Sequence, residues 1–309
     1  MLPRRPSRRS PTALAACLAA LAAGLPALAG AVLTLSVHPA SAADWPQWRG
    51  PDRSGVSPES SGYPAGWPPK RLWARNAGVG CTSPILVGGH LYVMGWHGSD
   101  RSPRRPGGHT GGPAPFRVGG VPCLANLALR KLIVLRIDPG HEGQTVAEVP
   151  WSTHYANNIP TPAVMDGHVL VTSSYNVSRT VLFEVTPQGL KEKWRVRDHA
   201  KVGSPVIYKG RVFLVHNALM RLDLASGRRL WQGGNFGHGS CLVTAGDDRL
   251  LVFSRGRLVL LDALAKAYKE LAKVDGLFRA TCYPHPAIAD GLVAVKDMKG
   301  NLVCLDTRK

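Results

Sequence analysis

Short apolar runs recur in pairs along this chain, each pair joined by a glycine-bearing turn. The repeated pattern is proline, a brief run of β-branched and aliphatic residues, glycine near a turn, then a second such run. It stands as PILVGGHLYV from Pro84, PFRVGGVPCL from Pro115, PAVMDGHVLV from Pro162, PVIYKGRVFL from Pro205 and PAIADGLVAV from Pro286, with CLVTAGDDRLLV from Cys241 as a variant carrying one extra turn residue. Two β-rich runs flanking such a turn are the signature of a hairpin, so six hairpins are predicted. After most of them comes a third run ending in Ile-Asp or Leu-Asp, at Asp138, Asp223, Asp262 and Asp306, then a turn and a fourth run that often carries tryptophan. An aspartate in that place bonds the backbone of the turn that follows, so these four are read as structural rather than catalytic.

Four antiparallel strands in a unit of about 40 residues is the arithmetic of a β-propeller blade, and the fold class is all-β. The hairpins begin 31, 47, 43, 36 and 45 residues apart, so only the first unit is short. After PILVGGHLYVMGW the chain passes into HGSDRSPRRPGGHTGGPA, which offers neither an apolar third strand nor a tryptophan-bearing fourth. Residues 98–114 are therefore a basic Gly/Pro-rich loop or, the preferred reading, the junction where strands of the first blade are missing, because such a sequence cannot supply ladder hydrogen bonds. The last unit, PAIADGLVAV with NLVCLDTRK, lacks a fourth strand, while PKRLWARNAG from Pro69 is a fourth strand without the three before it. Placing residues 70–76 on the C-terminal blade closes the ring and covers an edge otherwise open to aggregation.

The N-terminus changes the picture of where this propeller works. Arg4, Arg5, Arg8 and Arg9 precede an apolar run from Ala13 to Val37 that ends at Ala40-Ser41-Ala42, a small-residue cleavage pattern. The predicted organisation is a signal peptide over 1–43, a Trp/Pro-rich lead-in over 44–69 and the propeller over 70–309. The expected location is periplasmic or extracellular, with membrane attachment only if the signal segment stays uncleaved. Setting the four signal arginines aside takes the formal charge from +18 to +14, which favours anionic surfaces or polymers. An exported chain meets little nucleic acid, and the densest basic cluster, Arg101, Arg104 and Arg105, has no interleaved aromatics. Cys81, Cys123, Cys241, Cys282 and Cys304 follow the signal; no pair has C-x-x-C spacing, and they are read as small buried residues at strand ends. An oxidising compartment permits one or two disulfides without spacing choosing the partners.

ADWPQWRGPDRSGVSPE, directly after the signal, resembles the N-terminal segment of exported pyrroloquinoline-quinone-like (quinoprotein-dehydrogenase-like) β-propeller repeat proteins. DLASGRRLW resembles their D-x-x-T/S-G-x-x-x-W blade motif, with Ser226 in the Thr/Ser place. The resemblance implies that Trp231 docks across neighbouring blades, with Trp73, Trp151 and Trp194 as looser matches. A true quinone dehydrogenase of this superfamily would imply a calcium held by carboxylate and amide oxygens beside a catalytic aspartate, often with adjacent cysteines. This chain has no adjacent cysteines and keeps most of its aspartates in turns, so neither pyrroloquinoline quinone nor calcium is expected.

Candidate chemistry gathers where each blade's first strand begins, since in a propeller that strand lines the central channel. His154, Asn157, Asn158 and Thr161 in WSTHYANNIPTP, with Ser204, His238 and His285 in comparable places, form the predicted ligand set at the channel mouth. No catalytic residue and no metal ligand is assigned, because serines and histidines recur in equivalent blades without a Ser-His-Asp set being singled out. Gly-rich VGG and GGNFGHG are read as turns, as no helix follows for an anion to cap. The function expected is an exported, non-catalytic β-propeller acting as an interaction or scaffold domain in the cell envelope, with envelope proteins or anionic polymers as partners. The alternatives are a degenerate quinone-dependent dehydrogenase or other small-ligand enzyme, and a carbohydrate-binding module served by Trp45 and Trp48.

Overall fold

The computed structural model describes residues 44–80, 82–93, 112–128, 130–153, 157–175 and 177–308, all within the compact unit Ala40–Lys309. The predicted signal segment, most of the 98–114 loop with its arginines, Cys81 and His154 lie outside the described residues. Every regular element among those described is a β-strand.

The lead-in supplies β1 (Val56–Ser57), and β2 (Lys70–Asn76) follows it. The first hairpin is β3 (Ile85–Val87) with β4 (His90–Tyr92). The second unit is the four-stranded sheet β5 (Ala114–Val118), β6 (Val121–Leu127), β7 (Lys131–Arg136), β8 (Thr145–Pro150), and the third is β9 (Ala163–Met165), β10 (His168–Ser173), β11 (Arg179–Thr186), β12 (Gly189–Val196). The fourth comprises β13 (Val206–Tyr208), β14 (Arg211–Asp223) and β15 (Arg229–Gly237); the fifth β16 (Ser240–Thr244), β17 (Arg249–Ser254), β18 (Arg257–Asp262) and β19 (Glu270–Val274). The sixth holds β20 (Ala287–Ala289), β21 (Leu292–Lys296) and β22 (Asn301–Asp306).

The sixth unit takes its outer strand from the start of the 70–309 segment: β2 pairs antiparallel with β22, from Lys70 opposite Asp306 to Asn76 opposite Asn301. This is the pairing predicted for residues 70–76. The fourth unit departs from the four-run plan, because β14 runs through what are two strands elsewhere. Its first part pairs with β13 and its last part with β15, and Asn217 at φ 59° lies between them.

Two local expectations are corrected. GGNFG is strand and not turn: a Cβ on Gly233 would collide with the Tyr268 ring and one on Gly234 with Phe236, so these glycines admit aromatics against β15. The 98–114 loop ends earlier than read, because Ala114 is buried and already opens β5 opposite Ala125.

The four aspartates take the turn role. Asp223 accepts from the Ser226 backbone N–H at 2.9 Å and its hydroxyl at 2.8 Å, Asp262 from Leu264 N–H and Asp306 from Arg308 N–H, while Asp138 holds Arg136 and His141. Apolar clusters fill the spaces between successive sheets, such as Leu170, Leu182, Trp194, Leu214 and Leu222 between the third and fourth. A sheet covered on both faces needs apolar side chains on both, which is why β17 and β18 read as unbroken runs instead of alternating ones.

Candidate functional site

The strand starts are linked from sheet to sheet by short polar side chains. Thr161 donates its backbone N–H to Ser204 Oγ at 3.0 Å, His285 donates its N–H to Ser83 Oγ at 2.8 Å, and Ser240 Oγ donates to the Pro284 carbonyl at 3.4 Å. Each joins different sheets, and Ser83, Thr161, Ser204 and His285 each precede the proline that opens a strand. A residue before proline is held extended, which presents its side chain and backbone toward the neighbouring sheet. Asn158 donates to the Ala128 carbonyl at 2.5 Å, tying the third unit to the second.

These residues are shut off from solvent: Asn158 and Thr161 are 0 % exposed, Ser204 3 % and His285 5 %. The lead-in covers them. Trp45 exchanges backbone hydrogen bonds with Leu86 of β3, and β1 adds to β16 in parallel. Between these anchors Trp48 sets its ring edge-on to His285, with centroids 5.3 Å apart. Arg49, 1 % exposed, donates to the carbonyls of Pro205 and Ser54. It forms no ion pair with a described residue, and its Nε and Nη1 find no acceptor among them. Burial pulls the Arg49 guanidinium down to about 10. Burial, then the Arg49 charge, hold the His285 imidazole down at about 3. Burial pushes the Cys241 thiol up to about 12, against the pull of Arg49. Trp48 and Arg49 of the lead-in thus lie against two of the strand starts where the sequence predicts a channel mouth, at His285 and Pro205. The groups there are hydroxyls, amides, an imidazole and a guanidinium; no set of three or more His, Cys, Asp or Glu among the described residues is arranged to hold a metal ion. That donor set does not match the carboxylate-bearing calcium site of a quinone dehydrogenase.

His238 belongs to a different cluster. Its ring stacks on His216 with centroids 5.1 Å apart and the two Nδ1 atoms at 3.2 Å, while His199 lies 4.9 Å beyond His216. Burial, then His199, His238 and Lys201, hold His216 at about 4, so His216 is neutral near pH 7, and burial lowers His238 as well. His199, His216 and Arg49 were not singled out in the sequence; the available signal was a polar residue closing an apolar run, VFLVH. Of the remaining predicted residues, Asn157 is half-buried beside Asn158.

The tryptophans reach across sheets. Trp194 Nε1 donates to the Leu224 carbonyl at 2.8 Å, Trp231 Nε1 to Ala265 at 3.0 Å and Trp151 Nε1 to Ser173 Oγ at 3.0 Å, each from one unit to the next. Gly227 is required by this docking: it sits at φ 72°, and a Cβ there would meet the Trp194 ring at 2.6 Å. Trp73 lies half-buried on β2.

Antiparallel four-stranded units of this order, packed face to face with an indole passing from one to the next, define a β-propeller built of pyrroloquinoline-quinone-like repeats. The family described as outer membrane protein assembly factor BamB matches residues 130–308, more than half of the chain, and the chain belongs to that family. Among solved structures, BamB from Moraxella catarrhalis is similar at 10% identity and TM-score 0.47, over 74% of this chain and 70% of that one. The computationally designed Ika8 protein is similar at 11% identity and TM-score 0.47, over 60% of this chain and 55% of that one. No curated protein sequence matches the chain.

Proposed function

We propose that this chain is an exported, non-catalytic β-propeller that serves as a protein-interaction scaffold in the cell envelope, in the outer membrane protein assembly that its family's description names. The observation that carries the reading is the family match over residues 130–308. Trp48, edge-on to His285, and the fully buried Arg49, bonded to the Pro205 carbonyl, occupy strand starts where a ligand would otherwise enter, which supports function at the outer surfaces. The family's description, an outer membrane protein assembly factor, supports an envelope setting.

The carbohydrate reading is weakened at one of its two rings: Trp45 is 2 % exposed, while Trp48 is half-buried and edge-on to His285.

The test is affinity purification of the tagged full chain from detergent-solubilised envelopes of its own host, followed by mass spectrometry. Enrichment of β-barrel assembly components over an unrelated exported propeller is the expected result. Dye-linked oxidation of alcohols or sugars by the purified chain with pyrroloquinoline quinone and calcium, and no enrichment of envelope proteins, would overturn it.

A further inference from the structure

The outer strands of the second to fifth units balance their cations with carboxylates. Lys131 on β7 pairs with Glu148 on β8, Glu184 on β11 with Lys193 on β12, Arg229 on β15 with Asp198, and Arg257 on β18 with Glu270 of β19 and Asp275. The sixth unit does not. Its outer strand β2 reads KRLWARN, is the most exposed of the outer strands, and contains no acidic residue. Arg71 and Arg75 form no ion pair with a described residue, and the far edge of β2 is unpaired because the strand ends its sheet.

Over β2 and its paired neighbour β22 lies a groove of about 700 Å³, bounded also by Gly276–Ala280 of the link between the fifth and sixth units and by Lys299. Four cations, Arg71, Arg75, Arg279 and Lys299, line it, and no carboxylate does. Its floor includes the buried apolar side chains of Leu277, Phe278 and Val303. Edge protection against aggregation accounts for cations on β2 itself. It does not account for Arg279 and Lys299, which come from two other segments and converge on the same concave surface. Four like charges around one concavity repel each other, and an anionic occupant relieves that repulsion. A concave surface that carries several cations from three segments suits an extended polypeptide, whose alternate side chains set more than one carboxylate along it.

We propose that this groove binds an acidic, extended segment of a partner protein, its carboxylates meeting Arg71, Arg75, Arg279 and Lys299. The proposal rests on the scaffold reading and names the chemistry of its partner.

The probe is a short fluorescein-labelled peptide of alternating glutamate and valine, titrated with the mature chain by fluorescence anisotropy, with a lysine–valine peptide as its counterpart. Saturable binding of the acidic peptide alone is expected, weakened roughly tenfold by the exposed double substitution R279E/K299E. Lys191→Glu on β12 should leave it unchanged, and thermal melts of both variants should match the parent. No saturation by about 1 mM peptide, or equal loss with Lys191→Glu, overturns the groove. Inorganic polyphosphate competing as well as the unlabelled peptide at equal charge also overturns it, since that marks a general anion patch. The scaffold reading is separable: envelope partners retained by R279E/K299E, with no acidic peptide bound by the parent, sink the groove alone.

Discussion

His285 gives the fold a dependence on pH, and Arg49 contributes to its stability. His285 is buried, edge-on to Trp48, with the Arg49 charge nearby, and its imidazole is held at about 3 against an ordinary 6.5. The unfolded chain therefore takes up this proton first. The stability that comes from keeping His285 neutral is whole above pH 6.5 and is lost as pH falls toward its folded value. The slope from one such group is at most about 1.4 kcal/mol per pH unit. His285→Gln should flatten the stability profile between about pH 6 and about pH 4.5, a range above that in which carboxylates dominate; denaturant melts across that range measure it. An unchanged slope would place the acid sensitivity elsewhere, His216 being the next candidate. Arg49→Ala removes a fully buried side chain and leaves the Pro205 carbonyl without its donor. A loss of about 3 kcal/mol or more is expected from the cavity and the unpaired acceptor together; a loss under about 1 kcal/mol would mean that the lead-in is not held by this residue.

At the scale of elements, the hairpins and the displaced outer strand were legible in the sequence for a physical reason. A strand pair covered on both faces must be apolar throughout and must turn on glycine, so PVIYKGRVFL and PAIADGLVAV announce themselves. The incomplete last unit pointed to residues 70–76 by the same logic, and β2 lies on β22. What could not be read was irregular. The two-residue β1, the parallel step onto β16 and the seating of Glu59 against the backbone of Asp290 and Gly291 depend on distant surfaces rather than on a repeating pattern. The same is true of Gly62 and Gly66, each of which lies against the Thr307 carbonyl where no Cβ fits. GGNFG was misjudged because the aromatic occupying the space beside Gly233, Tyr268, stands a whole unit away in sequence. Deleting Lys70 to Gly78 strips the outer strand from the sixth sheet and exposes β22 along its length. The truncated chain should lose most of its cooperative melt; a midpoint within about 2 °C of the parent would sink the claim that this pairing is needed for folding.

For the molecule as a whole, the polar strand starts are legible in the sequence because the repeat sets them. His154 apart, the residues expected to form a ligand set lie just before inner strands, and His238 stacks on His216 in a cluster of its own. The sequence could not reveal that Trp48 and Arg49, far upstream in the chain, would lie against His285 and the Pro205 carbonyl. Thr161 and Ser204 bond to each other, Asn158 to the Ala128 carbonyl and His285 to Ser83. That assignment has a consequence for ligand binding. A solute that enters at His285 and Pro205 meets Trp48 and Arg49, which the lead-in's bonds to Leu86 and to β16 hold in place. Pyrroloquinoline quinone with calcium should therefore leave the thermal midpoint of the chain from Asp44 onward unmoved. A ligand that binds only the native state at a hundred times its Kd adds about 2.7 kcal/mol, a rise of roughly 5 °C or more for a chain of this size. Differential scanning fluorimetry across a quinone titration resolves that easily. A dose-dependent rise would show that the lead-in yields to a ligand, return the enzyme reading to first place, and predict that removing residues 44–55 strengthens quinone binding.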